Sequence, residues 1–161
     1  MNTLTTRDIL LRRLTVADAE AFYALYTWPE VIQHFDSSPF LPDDTAISFT
    51  SRIIESCYCI WTIRLRGEPE KIIGDLALHH YDMQHKRIEI GGSLLPAYWG
   101  KNLMKQAFEL LIDFSRQTLK IEQIIGKTSP DNRQAIKLVE KLGFQRVGVV
   151  ENELILSKRL S

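Results

Sequence analysis

The sequence predicts a mixed α/β fold: one central sheet, part antiparallel and part parallel, flanked by helices. Three observations predict it. After one strand-like run, apolar residues in the first third recur at helical spacing. The middle third turns to strand-like runs joined by the short turns 67–70 and 82–86, which favours an antiparallel meander. The last third alternates helix and strand, as when helices connect parallel neighbours. A chain of 161 residues favours one domain, 1–161, around one core.

Residues 7–14 read as the first strand. Thr15 offers an N-cap, with Asp18 in the capping-box position usually held by Glu or Gln. Ala19, Phe22, Tyr23 and Tyr26 then follow at helical spacing. Pro29 can open a second, short helix over 30–35, because the first helical position needs no N–H. Residues 36–41 are a loop. Pro42, with Asp43 and Asp44, opens a third helix whose stripe is Ala46, Phe49 and Ile53.

Residues 57–65 are strand-like. Gly67, Glu68, Pro69 and Glu70 form a turn signal. Strands over 72–81 and 87–95 flank the turn 82–86. Leu103, Ala107, Leu110, Leu111 and Phe114 make one face of a long helix. Residues 121–127 form a strand, and Ser129-Pro130 reads as an N-cap with Pro at the first helical position. Ala135, Leu138, Val139 and Leu142 stripe that helix, and Gly143 suits the left-handed position beyond it. Strands over 144–150 and 153–159 close the chain. The order is β-α-α-α-β-β-β-α-β-α-β-β.

Composition narrows the function classes. Hydrophobic residues at 45% and charged residues at 25% are the balance of an ordinary soluble domain. A formal net charge of zero argues against nucleic acid as the primary partner. Residues 1–14 are polar and lack the apolar core of a signal peptide, and no run approaches the ~18 apolar residues that span a bilayer. The expectation is a cytoplasmic protein with no membrane partner, monomer or homodimer. Cys57 and Cys59, two apart in a strand-like run, share a face and read as small, buried, reduced thiols. The pair supplies too few ligands for a metal, so none is expected.

The segment 87–106 carries the chemistry. A strand stops at Pro96, a turn with Gly100 and Asn102 follows, and a helix begins at once. The first turn of a helix has unpaired N–H groups and the positive end of the helix dipole, so this arrangement suits a phosphate and points to a nucleotide-like cofactor. In open α/β sheets, ligands bind beyond the carboxyl ends of strands, where this turn lies.

At these residues the sequence resembles the GNAT acyltransferase superfamily, and within it the branch that includes the ribosomal-protein N-terminal acetyltransferases. The likeness spans nearly the whole chain. It rests on Leu10-Leu-Arg-Arg-Leu-Thr-Val-Ala-Asp-Ala19, Ile88-Glu-Ile-Gly-Gly-Ser-Leu94, Tyr98-Trp-Gly-Lys-Asn-Leu-Met104, Asn132-Arg-Gln-Ala135 and Glu140-Lys-Leu-Gly-Phe144, in that order and spacing. The resemblance implies a three-layer GNAT-like fold. It also implies transfer of an acetyl group from acetyl-CoA to an amine acceptor by direct attack in a ternary complex. It places the pantetheine arm between the fourth and fifth strands of the family fold, beside backbone groups of Ser93, Leu94 and Leu95. The pyrophosphate would lie on N–H groups beyond Trp99, from Gly100 through Lys101, Asn102, Leu103 and Met104 to Lys105, and Asn132 would meet the arm with its amide. The family usually has Gly where Asn102 stands, and Gly or Ala where Met104 stands. Asn tolerates left-handed angles, so the turn survives; Met104 would hinder binding if it pointed at the phosphate.

An alkylammonium has no lone pair, so it must lose a proton before it can attack a thioester. An oxyanion then forms and calls for a fixed N–H donor. Glu89 is the residue chosen as base, directly or through water, because it shares a strand face with Gly91 and Ser93, opposite Ile88 and Ile90. The alternative is a cross-strand partner for a Lys or Arg. No general acid is identified: the positions where relatives carry Tyr or Ser are Val139 and Ala135. Tyr98, Tyr81, Ser93 or a water are the substitutes. A non-catalytic acyl-CoA-binding or regulatory module is the second reading. His79, His80 and His85 cluster near one turn, but adjacent strand residues face opposite ways. His34, Phe35 and Trp28 lie where the family's acceptor side would be.

Overall fold

The computed structural model describes residues 3–35 and 37–160. Asp36, which opens the expected loop 36–41, lies outside the described residues. The sheet has eight strands in the order β1-β2-β3-β4-β5-β6-β8-β7. They are β1 (Leu4–Thr5), β2 (Ile9–Arg13), β3 (Cys59–Leu65), β4 (Gly74–Asp82), β5 (Arg87–Leu94), β6 (Gln123–Thr128), β7 (Gln145–Val150) and β8 (Glu153–Arg159). Among the described residues the β5–β6 pair alone is parallel, and every other pair is antiparallel. The mixed sheet expected from the sequence is therefore present.

The strands alternate between two apolar layers. On one face, Trp61 and Ile63 of β3, Leu76 and Leu78 of β4, and Ile88 and Ile90 of β5 pack in a core with α4 (Leu103–Gln117) and α5 (Arg133–Lys141). On the other, Ile60 and Ala77 meet Phe22 of α1 (Ala19–Leu25) and Phe49 of α3 (Ala46–Ser56). Helices on both faces make three layers. The α4 stripe includes the expected Leu103, Ala107 and Leu111 and widens to Phe108 and Ile112. The α4 crossover is what lets β5 and β6 run parallel.

Several boundaries differ from the sequence expectation, each for a local reason. A two-residue strand, β1, precedes the first expected strand. The second helix, α2 (Pro29–Ile32), is shorter than 30–35 and has Pro29 at its start. The third helix does not open at Pro42. Asp44 instead accepts the Leu41 N–H (2.7 Å), closing a turn. Thr45 is then the N-cap: its hydroxyl accepts from Ser48 N–H (3.1 Å), and the Ser48 hydroxyl accepts from Thr45 N–H (2.9 Å). Ser129-Pro130 does not cap α5 either. Asn132 does, accepting from Ala135 N–H (3.3 Å), three residues later. Thr15 and Asp18 form the expected capping box, which opens a 3-10 turn (Val16–Asp18) ahead of α1. Cys57 ends α3 as its C-cap and packs in the α1–α3 layer, whereas Cys59 packs with Trp61 in the other. The two thiols therefore do not share a face. Burial raises both, Cys57 to about 11, so neither thiol is a ready nucleophile.

Candidate active site

The parallel β5–β6 ladder is short. It runs from Arg87↔Gln123 to Glu89↔Ile125 and stops, although both strands continue. Beyond it β5 is held by β4 and β6 by β8, so the two strands part. The β5 edge inside this wedge has main-chain groups without a strand partner, which is costly unless a ligand or water takes them. The wedge opens into a cavity of about 1150 Å³. Single small-molecule pockets commonly measure ~300–1000 Å³, so there is room here for more than one small ligand.

The N-terminus of α4 stands at one end of this cavity. Gly100 and Asn102 both have left-handed backbone, with φ of 74° and 64°. That reversal turns the chain from the 3-10 turn Pro96–Tyr98 straight into α4. Asn102 is the N-cap, yet its side chain makes no capping hydrogen bond. Among the described residues no group accepts from the N–H of Leu103, Met104 or Lys105; the first helical bond is Gln106 N–H to Asn102 carbonyl (3.4 Å). Three donors and a helix dipole therefore face the cavity unpaired, which fits a phosphate. Met104 does not block them. A Cβ built at Gly92 would lie 3.0 Å from the Met104 methyl, so that side chain turns back onto β5. The same Cβ would run into the Asp75 carbonyl, and this close approach is why position 92 is Gly.

The other expected cofactor residues gather around the wedge, several already partnered. The Trp99 indole donates to the Leu94 carbonyl (2.8 Å), and Leu95 N–H donates to the Ile73 carbonyl (2.8 Å). Lys101 lies over the Tyr98 ring (5.8 Å), and Lys105 pairs with Glu109 (3.3 Å). The Asn132 amide, besides capping α5, donates to Thr128 Oγ1 (3.0 Å). Ala135 and Val139 both line the cavity without a hydroxyl, and Ser93 and Tyr98 also line it.

A groove crosses the β4–β5 face on the α1–α3 side. Its floor is built from the cross-strand pairs Asp75↔Ser93, Ala77↔Gly91 and His79↔Glu89. A Cβ at Gly91 would meet nothing within 4 Å, so the floor is open there. At one end, Glu89 is held on both oxygens, by Lys127 Nζ (2.7 Å) and His80 Nδ1 (2.6 Å). Burial works to raise its pKa, but Lys127 and His80 outweigh it and hold the carboxyl below its usual range. Lys127 rises in return, chiefly through its hydrogen bond to Glu89. His80 reaches Glu89 because the β4–β5 register shifts after His79 and His80 has a left-handed φ of 53°. Simple strand alternation would set it opposite His79. His79 itself lines the cavity, and burial lowers its pKa.

At the other end lies Asp75, which sequence reasoning missed. It is 2% exposed and lines the cavity. Its Oδ2 accepts a short hydrogen bond from the hydroxyl of Tyr26, the C-cap of α1. Its Oδ1 is buried and, among the described residues, has no hydrogen-bond partner. Burial pushes the Asp75 carboxyl up to about 6, against the pull of Tyr26 and of the nearby Ser93 backbone. Burial, and then the Asp75 charge, push Tyr26 well above the usual phenol range. One sequence signal pointed here: Asp75 is the lone acidic residue in the apolar run Ile72 to Leu78, where an unpaired carboxylate is rare. His34 and Phe35 line the same cavity. Trp28 does not; it is 46% exposed beside a small surface hollow. Among the described residues no three His, Cys, Asp or Glu side chains are placed to hold a metal.

Comparison with known proteins gives this geometry a family. The acetyltransferase (GNAT) domain family matches residues 8–145. An uncharacterized N-acetyltransferase, p20 of Bacillus licheniformis, is 29% identical over 156 residues, covering 94% of this chain and 87% of that protein. The structure of a GNAT-family acetyltransferase from Bacillus anthracis superposes with a TM-score of 0.82 at 20% identity, covering 98% of each chain. RimL, a ribosomal L7/L12 alpha-N-protein acetyltransferase in complex with coenzyme A, superposes at 0.84 with 13% identity, covering 99% of this chain and 98% of that one. At these identities the two structures speak for the fold.

Proposed function

The chain belongs to the GNAT acetyltransferase family and is an N-acetyltransferase of that type, and from that premise we propose that the whole chain is one catalytic domain. In this reading it transfers acetyl from acetyl-CoA to a primary amine, a peptide N-terminus or a small amine, by direct attack with both substrates bound. The observation that carries it is the wedge between β5 and β6, which ends at the uncapped N-terminus of α4. N–H groups from Gly100 to Lys105 hold the diphosphate. The β5 edge at Ser93 and Leu94, and Leu95 just beyond it, flank the arm with Trp99 and Asn132. Met104 contributes its N–H while its side chain stays on Gly92.

The thioester supplies an acyl carbon open to nucleophiles; the protein must supply a neutral amine at the right place. Two carboxylates stand on the face the acceptor crosses, Glu89 and Asp75. Glu89 is the one the strand pattern nominates, but Lys127 and His80 already occupy its oxygens, so it could reach an amine only through a bound water. Ala135 and Val139 offer the leaving sulfur no proton, which is what favours the second reading, an acyl-CoA-binding module without turnover.

Free-thiol release from acetyl-CoA separates the two. The acceptors are short peptides with free N-termini, a polyamine and simple primary amines. Acceptor-dependent release is expected. Calorimetric binding of CoA with no release on any acceptor would support the binding module, and no binding at all would remove both readings.

A further inference from the structure

We propose that Tyr26 and Asp75 are the proton-accepting dyad of this site: the Tyr26 hydroxyl receives the acceptor ammonium's proton while passing its own to the Asp75 carboxylate behind it. The proposal deepens the acetyl-transfer reading and rests on it. It assigns to Tyr26 and Asp75 the role that the strand pattern gives to Glu89.

Four observations carry it. Asp75 is buried, and among the described residues no Lys, Arg or His pairs with it. A buried carboxylate with no cation beside it, and with Oδ1 lacking a hydrogen-bond partner, costs stability, and so calls for a reason other than folding. Tyr26 and Ser93 line the cavity around it, so a proton can reach Asp75 through a hydroxyl even though the carboxylate is nearly covered. The Tyr26 hydroxyl already donates to Oδ2, which sets the direction of transfer. Lastly, Asp75 lies opposite Ser93 in the β4–β5 register, on the strand whose free edge flanks the wedge. Glu89 instead has both oxygens taken, by the Lys127 ammonium and the His80 ring, and a carboxylate so stabilised is a weak proton acceptor.

The step balances. The ammonium gives one proton to Tyr26 Oη as the Tyr26 proton moves to Asp75. The neutral nitrogen then forms its bond to the acyl carbon while the carbon–sulfur bond breaks. The second nitrogen proton goes to the leaving thiolate, and Asp75 returns the first to solvent. Tyr26 stays neutral between steps, in keeping with its raised pKa.

The groups that face Asp75 set its pH behaviour. Tyr26 ends α1, Cys57 ends α3 and Ser93 lies across on β5. On β3, Thr62 is its register partner, and Arg64 is committed to Thr62, the Pro69 carbonyl and Asp18. His79 is four residues along β4 on the same face, and Glu30, His34 and Arg52 line the cavity. The carboxyl is pushed up to about 6, so it is ionised and able to accept a proton above that pH. Turnover of an alkylammonium should therefore rise through pH 6 and then level.

The test uses acetyl-CoA with two acceptors: a primary alkylamine, charged at pH 7, and an alkoxyamine, already neutral there. Asp75→Asn and Tyr26→Phe should each lower kcat/KM for the alkylamine by about 100-fold or more, the usual reach of a general base. The double variant should be no slower than either single one, as for residues that act as a unit. Both should lose the rise through pH 6 and keep alkoxyamine turnover within a few-fold. CoA titration by calorimetry checks that each variant is folded. Wild-type rates with the alkylamine, or equal losses on both acceptors, would overturn the dyad while leaving acetyl transfer standing. A wild-type protein that binds acetyl-CoA and turns over neither these two acceptors nor the peptides and polyamine above would overturn the transfer reading, and the dyad with it.

Discussion

The two sides of the cavity are made of different material. The cofactor side is built from main chain: an uncapped helix start at Leu103, a left-handed turn at Gly100 and Asn102, and a strand edge beyond Glu89. The acceptor side is built from side chains held by distant contacts, above all Tyr26 on Asp75 across 49 residues. A site made of amides tolerates wide changes of side chain, since any residue but Pro presents an N–H. A site made of a buried hydroxyl and carboxylate tolerates almost none. The difference predicts where substitutions should be felt, and how strongly.

The largest effect belongs to Asp75→Asn, with about 100-fold or more of alkylamine turnover lost. The same variant should be no less stable. The native carboxyl titrates near 6 and the ordinary value is 3.8, so the folded state binds the proton more tightly than the unfolded one. Stability thus falls as pH rises from about 4 to 6, and the buried charge remains a burden above that. Two pH units correspond to about 2–3 kcal/mol, so Asn should raise the melting temperature at pH 7 and change it little at pH 4. A melting temperature that drops at pH 7 would make Asp75 structural and erase the contrast between the two sides.

Gly92→Ala comes next, because Gly92 lies beneath both sides. Its Cβ would press on the Asp75 carbonyl, Leu76 and Met104, and overpacking of this kind costs about 1–3 kcal/mol. Denaturant unfolding reads it directly. Gly100→Val forces a β-branched residue to a φ of 74°. The strain is about 1–2 kcal/mol, so CoA should bind roughly tenfold more weakly while the acceptor KM stays put. Glu89→Gln should change alkylamine turnover by less than about threefold, because general-base losses start near 100-fold and Glu89 is not the acceptor in this account. A loss the size of that in Asp75→Asn would move the base to the other end of the groove. The smallest effect is expected for Asn102→Gly, which relaxes a left-handed residue and should hold or slightly improve CoA affinity.

The same contrast explains what could be read from the sequence. The cofactor side was legible because Gly100, Asn102 and the α4 stripe are local in sequence, and local pattern is what turn and helix chemistry leave behind. The mixed sheet was legible for a related reason: short turns forced the meander, and the crossover α4 forced the parallel pair; the antiparallel order β6-β8-β7 at the far edge was not. Helix starts were misread where a nearby carboxylate closed a turn first, as Asp44 does ahead of Thr45. The expectation that His79 and His80 face opposite ways fails because a register shift with a left-handed residue breaks strand alternation. Tyr26 read as one more residue of an apolar helix stripe. Its role appears only when the end of α1 is packed over β4, and no spacing in the chain encodes that contact.

The account is tested most directly by a crystal structure with acetyl-CoA bound. It predicts the diphosphate on the N–H groups of Leu103, Met104 and Lys105, the arm in the wedge between β5 and β6, and the acyl carbon above the Gly91–Ser93 stretch with the Tyr26 hydroxyl facing it. A cofactor seated elsewhere, or a thioester turned away from Tyr26, would contradict it.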